Sequence, residues 1–597
     1  MALSAAQLEQ QKKQVEELLF SGPETLGFVK GLFFGHFNAK YVLPYPQLAP
    51  AAQSTVDQAV AKMRKFCEER IDPVAIDRLA DIPKSVIDGL AEMGVLGMTA
   101  APEFGGPGFT QQGYCKVMEV LGGHDSATAV FVNAHQSIGI RALILFGTPE
   151  QKAQWLPDLI AGRKLAAFAL TEPEAGSDAS NVQSRATPTD DGSAYVLNGE
   201  KRYISNAAIA QVLTVMARTP APTPDKPDET KITAFLVTPD MPGFEVVEAR
   251  QEKVGIRGTA TGRLRFTNMR VPKENVLGPV GKGLKVALTV LDFGRTTFGA
   301  SCAGVAKACL QAAARHAKAR VQFQQPLAEF EMVKKKIAFI AAHAFATEAA
   351  TDVCAALIDS GADDYMLETA ILKVFATEHL WTSIYECMQV MGGSSYFTDK
   401  PQERWMRDAR INTIGEGANE VLKAFVAVVG CRAPGMKLDA MRKRPVANLH
   451  RLAGYGAGYL WRKTALAGGP EIPVASADLQ PAARRLARQV KRLGTALPGV
   501  FLRAGSEANF LEAQLVQERL ADIAIDLYVS SCVLSRLDYM LQKGPGDLRS
   551  EEFAGEVEAG KYFLSLANRR IDERFAGLHD NDDAETVRAA NAALGRW

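Results

Sequence analysis

At 597 residues the chain exceeds what a single hydrophobic core usually supports, so several domains are expected. It is 47% hydrophobic and 23% charged with a formal net charge of +1, which gives no electrostatic ground for a nucleic-acid partner. Eight cysteines (Cys67, Cys115, Cys302, Cys309, Cys354, Cys387, Cys431, Cys532) lack Cys-x-x-Cys or Cys/His ligand spacing, so no metal site is expected and a reduced compartment is the better reading.

Residues 1–50 read as an N-terminal extension. Acidic Glu9 and Glu16 come early, with neither an apolar signal core nor an Arg-rich import pattern. The apolar segment Leu26 to Phe37 is too short to span a bilayer. A soluble protein is expected, cytoplasmic in a bacterium or, as the mature form of an imported protein, in the mitochondrial matrix. Residues 51–165 are helical in pattern. Val86, Ile87, Leu90 and Met93 recur at three and four positions, Pro83 suits a helix start, and a second helix runs from about His135 to Phe146. Residues 166–282 change character. Short β-type runs (Ala194 to Leu197, Gln211 to Ala217, Ile232 to Thr238, Phe244 to Val247, Arg263 to Phe266) predict an antiparallel β domain, with Asn198-Gly199 and Pro220 to Pro227 as turn and loop. Residues 283–432 are helical and Ala-rich, and residues 433–475 form a basic or linker segment. Helical spacing returns in residues 476–597, where Val516, Leu520, Ile523 and Leu527 share a face. The predicted class is mainly α with one β domain.

Familiar nucleotide and metal signatures are missing: there is no P-loop, no G-x-G-x-x-G after a strand and no His-Glu-x-x-His. What stands out is Ile414-Gly415-Glu416-Gly417-Ala418-Asn419-Glu420, one carboxylate between two glycines. Glycines let a ligand approach the backbone closely, and a lone Glu held there is a candidate proton acceptor. On these residues alone a tight turn with a solvated Glu is the competing reading.

Six further motifs precede it in order. They are Phe168 to Asp178 (FALTEPEAGSD), Lys201 to Asn206 (KRYISN), Val254 to Thr259 (VGIRGT), Leu291 to Arg295 (LDFGR), Arg320 to Gln324 (RVQFQ) and Gln389 to Gly393 (QVMGG). Together they resemble the acyl-CoA dehydrogenase family over about residues 50 to 430. The N-terminal extension, Ala134-His135-Gln136-Ser137-Ile138-Gly139 and the long C-terminal extension are most similar to its very-long-chain branch. The resemblance implies FAD as cofactor, a long-chain acyl-CoA as substrate and desaturation between its α and β carbons, the first step of β-oxidation. It also implies electron-transfer flavoprotein as acceptor and a homodimer.

By the same resemblance Glu416 is the α-proton base, with Gly415 and Gly417 leaving room for the thioester. Its backbone N–H and a flavin hydroxyl would hold the thioester carbonyl. Some branches carry the base beside the Arg of the LDFGR motif; here that neighbour is Gly294, which cannot serve. Asp292 and Arg295 are expected to orient the substrate beside the loop, and Ser177 to touch flavin or the CoA arm. Phe168, Leu170, Thr171 and Gly176 are expected at the flavin with Tyr203, Ile204 and Ser205. Tyr203 stands where the family usually has Trp. Arg320, with Gln322 and Phe323, would hold the flavin pyrophosphate of a neighbouring subunit. Gln389, Gly392 and Gly393 would cradle the adenosine side, with Ala418, Asn419 and Glu420 closing over it. Gly139 and Ala142, small and three apart on one helix face, are candidates for a deep acyl pocket, with close helix packing as the alternative.

Two departures stand out: Gln324 occupies a turn where the family commonly has Gly, and Ala418 replaces a usual Thr. The stretch from Lys437 to Lys463 interleaves basic residues with Tyr455, Tyr459 and Trp461, which suits peripheral contact with an anionic membrane as well as a solvated linker. Two other functions fit the same fold, an acyl-CoA oxidase passing electrons to oxygen and an assembly or scaffold protein.

Overall fold

The computed structural model describes residues 27–222, 224, 227–443, 468–546 and 548–597. The start of the N-terminal extension and residues 444–463 of the basic-aromatic stretch lie outside the described residues.

After α1 (Phe28–Phe33), a first helical layer is built by α2 (Pro50–Arg70), α3 (Pro73–Leu79), α4 (Lys84–Glu92), α5 (Gln111–His124), α6 (Ser126–Val132), α7 (Ile140–Phe146) and α8 (Pro149–Ile160). Local chemistry starts these helices. Asp72 caps α3 by accepting from Val74 and Ala75, with Pro73 at its first position, and Thr148 and Gln151 form a reciprocal capping box on α8. Pro83 precedes the first residue of α4, whose buried face carries Val86 and Leu90. The expected helix around His135 begins as a π-helical segment, Asn133–Gly139, before continuing as α7. Such segments are rare and mark functional sites often.

The middle of the chain forms one eight-stranded sheet. Its strands are β1 (Ala166–Ala169), β2 (Arg185–Pro188), β3 (Ala194–Ile204), β4 (Val212–Pro220), β5 (Thr230–Val237), β6 (Phe244–Glu248), β7 (Gly262–Pro272) and β8 (Val276–Leu277), in the order β6-β7-β3-β2-β4-β5-β8 with β1 also on β4. Most pairings are antiparallel, but β1 and β2 each lie parallel to β4, so the sheet is mixed rather than purely antiparallel. Asn198-Gly199 is not a turn. It sits inside β3 at a register shift against β7, where a Cβ on Gly199 would lie 2.1 Å from Ser184 Oγ. Glycine serves close approach there.

A second helical body follows, comprising α9 (Gly283–Ala319), the small hairpin β9 (Val321–Gln322) and β10 (Gln325–Pro326), α10 (Glu331–Asp359), α11 (Met366–Met391), α12 (Pro401–Arg410) and α13 (Asn419–Lys443). The C-terminal part adds α14 (Gln480–Ala504), α15 (Glu507–Glu512), α16 (Gln514–Lys543), α17 (Ser550–Gly577) and α18 (Asp583–Leu594). Leu520, Ile523 and Leu527 of α16 are fully buried in the largest core cluster, shared by α1, α10, α11, α14 and α17. The N-terminal extension is tied into this core. The Val29 N–H donates to Glu368 Oε1 at 2.8 Å and the Tyr45 hydroxyl to Asp352 Oδ2 at 2.7 Å. Two helical stretches, Ser126–Phe146 and Glu331–Asp359, are apolar and long enough to cross a bilayer, yet 72% of each apolar window is buried inside the protein, as in core helices.

Candidate active site

The Glu416 loop connects the end of α12 to the start of α13, through a short 3-10 turn at Ile411–Thr413. Glu416 has φ 56° and Gly417 φ 100°, both left-handed. Glycine takes that conformation freely; a residue with a Cβ holds it at a cost of order 1 kcal/mol and needs its surroundings to enforce it. The enforcing group is Lys373 of α11, buried to 0% exposure. Its Nζ donates to Gly417 O at 2.7 Å and to Asn419 Oδ1 at 2.7 Å, while Asn419 Nδ2 donates to Thr377 Oγ1 at 3.0 Å. Burial pushes the Lys373 ammonium down to about 8, opposed by the Glu416 charge. Asn419, expected to close over a cofactor, therefore turns its side chain inward to hold the loop. Ala418 O accepts from Leu422 N–H at 3.0 Å, and Glu420 lies exposed in the first turn of α13, where an acid suits the helix dipole.

The carboxyl group of Glu416 enters a slot between the π-helical segment and α9. A Cβ built on Gly294 would lie 3.0 Å from Glu416 Oε2, 3.2 Å from Oε1 and 3.0 Å from Ile138 Cγ2. Gly294 thus makes the room the carboxylate occupies. Oε1 accepts from Asn133 Nδ2 at 2.9 Å, whereas buried Oε2 has no partner. Arg295 Nε points at the Glu416 carbonyl at 3.4 Å, and its Nη1 lies 3.1 Å from Asp292 Oδ1, which also accepts from Thr369 at 2.7 Å. Asp292 and Arg295 are both buried, and these partners belong to each other, to α11 and to the loop. Burial raises the Glu416 carboxyl to about 7, with Arg295, Lys373 and the Asn133 hydrogen bond pulling the other way. Burial likewise raises Asp292 to about 6 against Arg295. A carboxyl titrating near neutrality, with one bare oxygen, is suited to taking up a proton.

The sequence runs Phe168–Asp178 and Lys201–Asn206 meet across the sheet. Arg202 N–H donates to Thr171 O at 3.0 Å, and Lys201 Nζ donates to Leu170 O at 3.0 Å and Glu172 Oε1 at 2.6 Å. Lys201 and Glu172 are almost completely buried, and burial lowers Lys201 to about 8 against the Glu172 charge. Tyr203, at φ 59°, leaves 56% of its surface uncovered although it is aromatic, beside half-buried Thr171 and Ser205. Ile204 is instead part of the sheet's own core, and Phe168 is 8% exposed in the cluster between sheet and helices, so their side chains serve packing first. Gly176, Gly392 and Gly393 have nothing within 4 Å of where a Cβ would stand, Gly415 has only Ile411 O at 3.6 Å, and Ser177 is exposed. Arg202 lies over the Tyr203 ring, 4.3 Å from its centroid, and the rest of the ring is open. Open glycine backbone and a largely exposed aromatic ring are the features a flat, phosphate-bearing flavin nucleotide needs, so the residues present fit FAD.

Arg320, Gln322 and Phe323 project on the exposed β9–β10 hairpin, where Phe323 is 89% exposed. The turn forms without the usual glycine, because Phe323 and Gln324 both adopt left-handed φ, 51° and 67°. Gln389 is exposed and its amide donates to Tyr385 Oη at 3.0 Å. Gly139 and Ala142 are buried, and a Cβ on Gly139 would meet Ala166 Cβ at 2.7 Å. Gly139 therefore lets the π-helical segment close on β1, the packing alternative, while its neighbour Ile138 faces Glu416. His135 locks the same closure. Its Nδ1 accepts from Ala166 N–H at 2.9 Å, its Nε2 faces Leu159 O at 3.1 Å, and burial lowers it to about 4. Asn133, Thr297 and Lys373 were not singled out from sequence, and Lys201 opened a motif without being given a role of its own. A single charge inside the apolar run Ile371 to Ala376 was the available signal for Lys373.

The sequence matches four family descriptions in succession. They are "Acyl-CoA dehydrogenase, N-terminal domain" over residues 54–163, the middle domain of that family over 167–269, its C-terminal domain over 281–429, and "ACAD9/ACADV, C-terminal domain" over 477–593. The mitochondrial very long-chain specific acyl-CoA dehydrogenase of Homo sapiens is 35% identical over 564 residues, covering 94% of this chain and 85% of that one. A probable acyl-CoA dehydrogenase of Mycobacterium tuberculosis, FadE10, is 33% identical over 608 residues, covering 99% and 92%. Among solved structures, an acyl-CoA dehydrogenase from Bacillus anthracis complexed with FAD superposes with a TM-score of 0.76 at 26% identity, covering 94% of each chain. Butyryl-CoA dehydrogenase from Megasphaera elsdenii gives 0.59 at 34% identity over 64% of this chain and 98% of its own.

Proposed function

The chain belongs to the acyl-CoA dehydrogenase family and is an FAD-dependent enzyme of it; from that premise we propose that it desaturates long-chain acyl-CoA to trans-2-enoyl-CoA with Glu416 as the α-proton base. The observation that carries the base assignment is the bare, buried Oε2 of a carboxyl raised to about 7. When bound, FAD supplies the two-electron acceptor for the β-hydride. The protein's own groups do the rest. Oε2 takes the α-proton, and the electron pair of that C–H bond becomes the second Cα–Cβ bond as the hydride leaves. The backbone N–H of Glu416 has no acceptor among the described residues and is available to the thioester carbonyl. Arg295 and Lys373 hold the loop and stabilise the carboxylate. Gly294 and Ile138 shape the slot in which the carboxyl is buried, and that burial keeps the base undersolvated and reactive.

The very-long-chain relatives and the matching C-terminal domain support a long acyl substrate. In this reading electrons pass to an electron-transfer flavoprotein, Asp292 helps align the substrate, and Arg320, Gln322 and Phe323 reach the cofactor of a second subunit in a homodimer. Their outward projection on the hairpin supports that role. The enzyme would work in the cytoplasm or mitochondrial matrix, with residues 437–463 as its membrane contact. The deciding experiment is anaerobic reduction of the purified yellow protein by acyl-CoA of graded length. Bleaching by long chains is expected; a flavin spectrum unchanged at every length overturns the enzyme reading. Peroxide formed as fast as substrate is used would make it an oxidase.

A further inference from the structure

The oxygens of Glu416 are not equivalent, and the difference originates in the π-helical segment. Oε1 accepts from Asn133 Nδ2 at 2.9 Å while Oε2 is buried and unpartnered. An amide can present either its donor or its acceptor, so something must set it. Thr297, one turn beyond Gly294 on α9, does so. Its hydroxyl bonds Asn133 Oδ1, and it lies 3.1 Å from Ser137 Oγ, which is 3.2 Å from the Tyr114 hydroxyl. The Thr297 hydroxyl also lies 3.0 Å from Gly294 O and 3.3 Å from Phe293 O, but its shortest contact is Asn133 Oδ1. Giving its one proton there leaves the amide NH2 to face Glu416, whose carboxylate can only accept. Asn133, Thr297, Ser137 and Tyr114 are all 5% exposed or less. Buried polar chains of this kind are costly unless satisfied, so water does not substitute readily for any member.

We infer that Asn133, set by Thr297, is the positioning residue of the base. By occupying Oε1 it assigns proton uptake to Oε2 and favours the ionised carboxylate before each turnover. This rests on the reading of Glu416 as the base. The π-helical turn makes it possible: Asn133 and Ser137 reach Thr297 from one side while Ile138 lines the slot. The other groups facing the carboxyl are Arg295, with Asp292 behind it, and Cys302 from α9, and Lys373 from α11. Asn133 is the neutral member that bonds the carboxyl directly.

The test uses the FAD-loaded enzyme and two readouts. Asn133→Ala removes a donor to the charged form, so the acid limb of the pH profile of anaerobic flavin reduction is expected to move up by about one pH unit, a roughly tenfold loss at acidic pH, with KM little changed. Thr297→Val is expected to move the limb the same way and Thr297→Ser to restore it. Where one variant does not fold, the other carries the test. The second readout is the infrared titration of the Glu416 carboxyl, identified as the band absent from Glu416→Gln, with palmitoyl-CoA omitted. Its midpoint is expected to rise in Asn133→Ala whether or not the protein turns over. An unmoved midpoint with an unmoved limb overturns the inference. A wild-type flavin that no acyl-CoA reduces overturns the reading of Glu416 as base, while the titration still decides whether Asn133 controls this carboxyl.

Discussion

The ammonium of Lys373 donates to the carbonyl oxygen of Gly417 at 2.7 Å, one residue past Glu416. This bond and its partner to Asn419 hold Glu416 left-handed at the mouth of the slot. Replacing Lys373 by Met keeps the length and removes both. A hydrogen bond to a charged group contributes about 1.5–3 kcal/mol, so flavin reduction by substrate is expected to slow by ~10–100-fold while the protein stays yellow. Stopped-flow reduction of Lys373→Met at saturating substrate measures it; wild-type rates would show that the loop holds without the clamp.

Glu416→Gln is expected to bind FAD and substrate and to abolish reduction, and it also has a thermodynamic signature. The native carboxyl titrates at about 7, above its ordinary 4.5. Between those values the native state binds more protons than the unfolded chain, so ionisation destabilises the fold progressively as pH rises. Glu416→Gln removes that penalty, which is absent below about pH 4.5 and full above pH 7, at about 3 kcal/mol. Melting temperatures of the two proteins should coincide near pH 4.5 and separate toward pH 8, the variant melting higher.

Gly294→Ala should divide activity from stability. A Cβ there lies 3.0 Å from Glu416 Oε2 and must displace the carboxyl or Ile138. Ala also favours a helix interior over Gly by about 1 kcal/mol. The expected outcome is an unchanged or slightly raised melting temperature with flavin reduction at least about tenfold slower, since a misplacement of an ångström or less is enough to cost that much. Full activity would mean that the slot tolerates a methyl group.

Lys201 and Glu172 form an ion pair with 0% and 2% side-chain exposure. Removing one partner strands a buried charge, which costs about 3–5 kcal/mol. Lys201→Met should therefore lower the unfolding midpoint sharply. Because Lys201 also holds Leu170 O beside Thr171, it should loosen FAD as well. Denaturation and flavin retention on gel filtration read the two effects.

Deleting residues 437–463 should reduce sedimentation with vesicles containing anionic lipid, by about 1 kcal/mol for each Lys or Arg that had lain near the surface. Activity on soluble substrate should persist. Unchanged sedimentation would make the segment a linker.

The order helical, β, helical, and the position of Glu416 between glycines, were readable because they are local: periodicity, turn residues and spacing repeat along the chain. Asn198-Gly199 misled because the same dipeptide serves a turn or a bulge, and only the closeness of Ser184 selects the bulge. Gly139 suggested a deep pocket from its size alone, but what small size achieves depends on what stands opposite, here Ala166. Parallel pairing of β1 and β2 with β4 left no mark in either strand, since register between distant segments is set by the packed sheet.

Sequence by itself determined the family, the cofactor class and the one acid in the loop, because motif residues are tied to chemistry and stay in order along the chain. Tertiary structure alone decided how that acid works. Lys373, Asn133 and Arg295 reach it from positions 43, 283 and 121 residues away. Its raised pKa, its bare oxygen and the space left by Gly294 exist only once those segments are packed together and the carboxyl is buried among them.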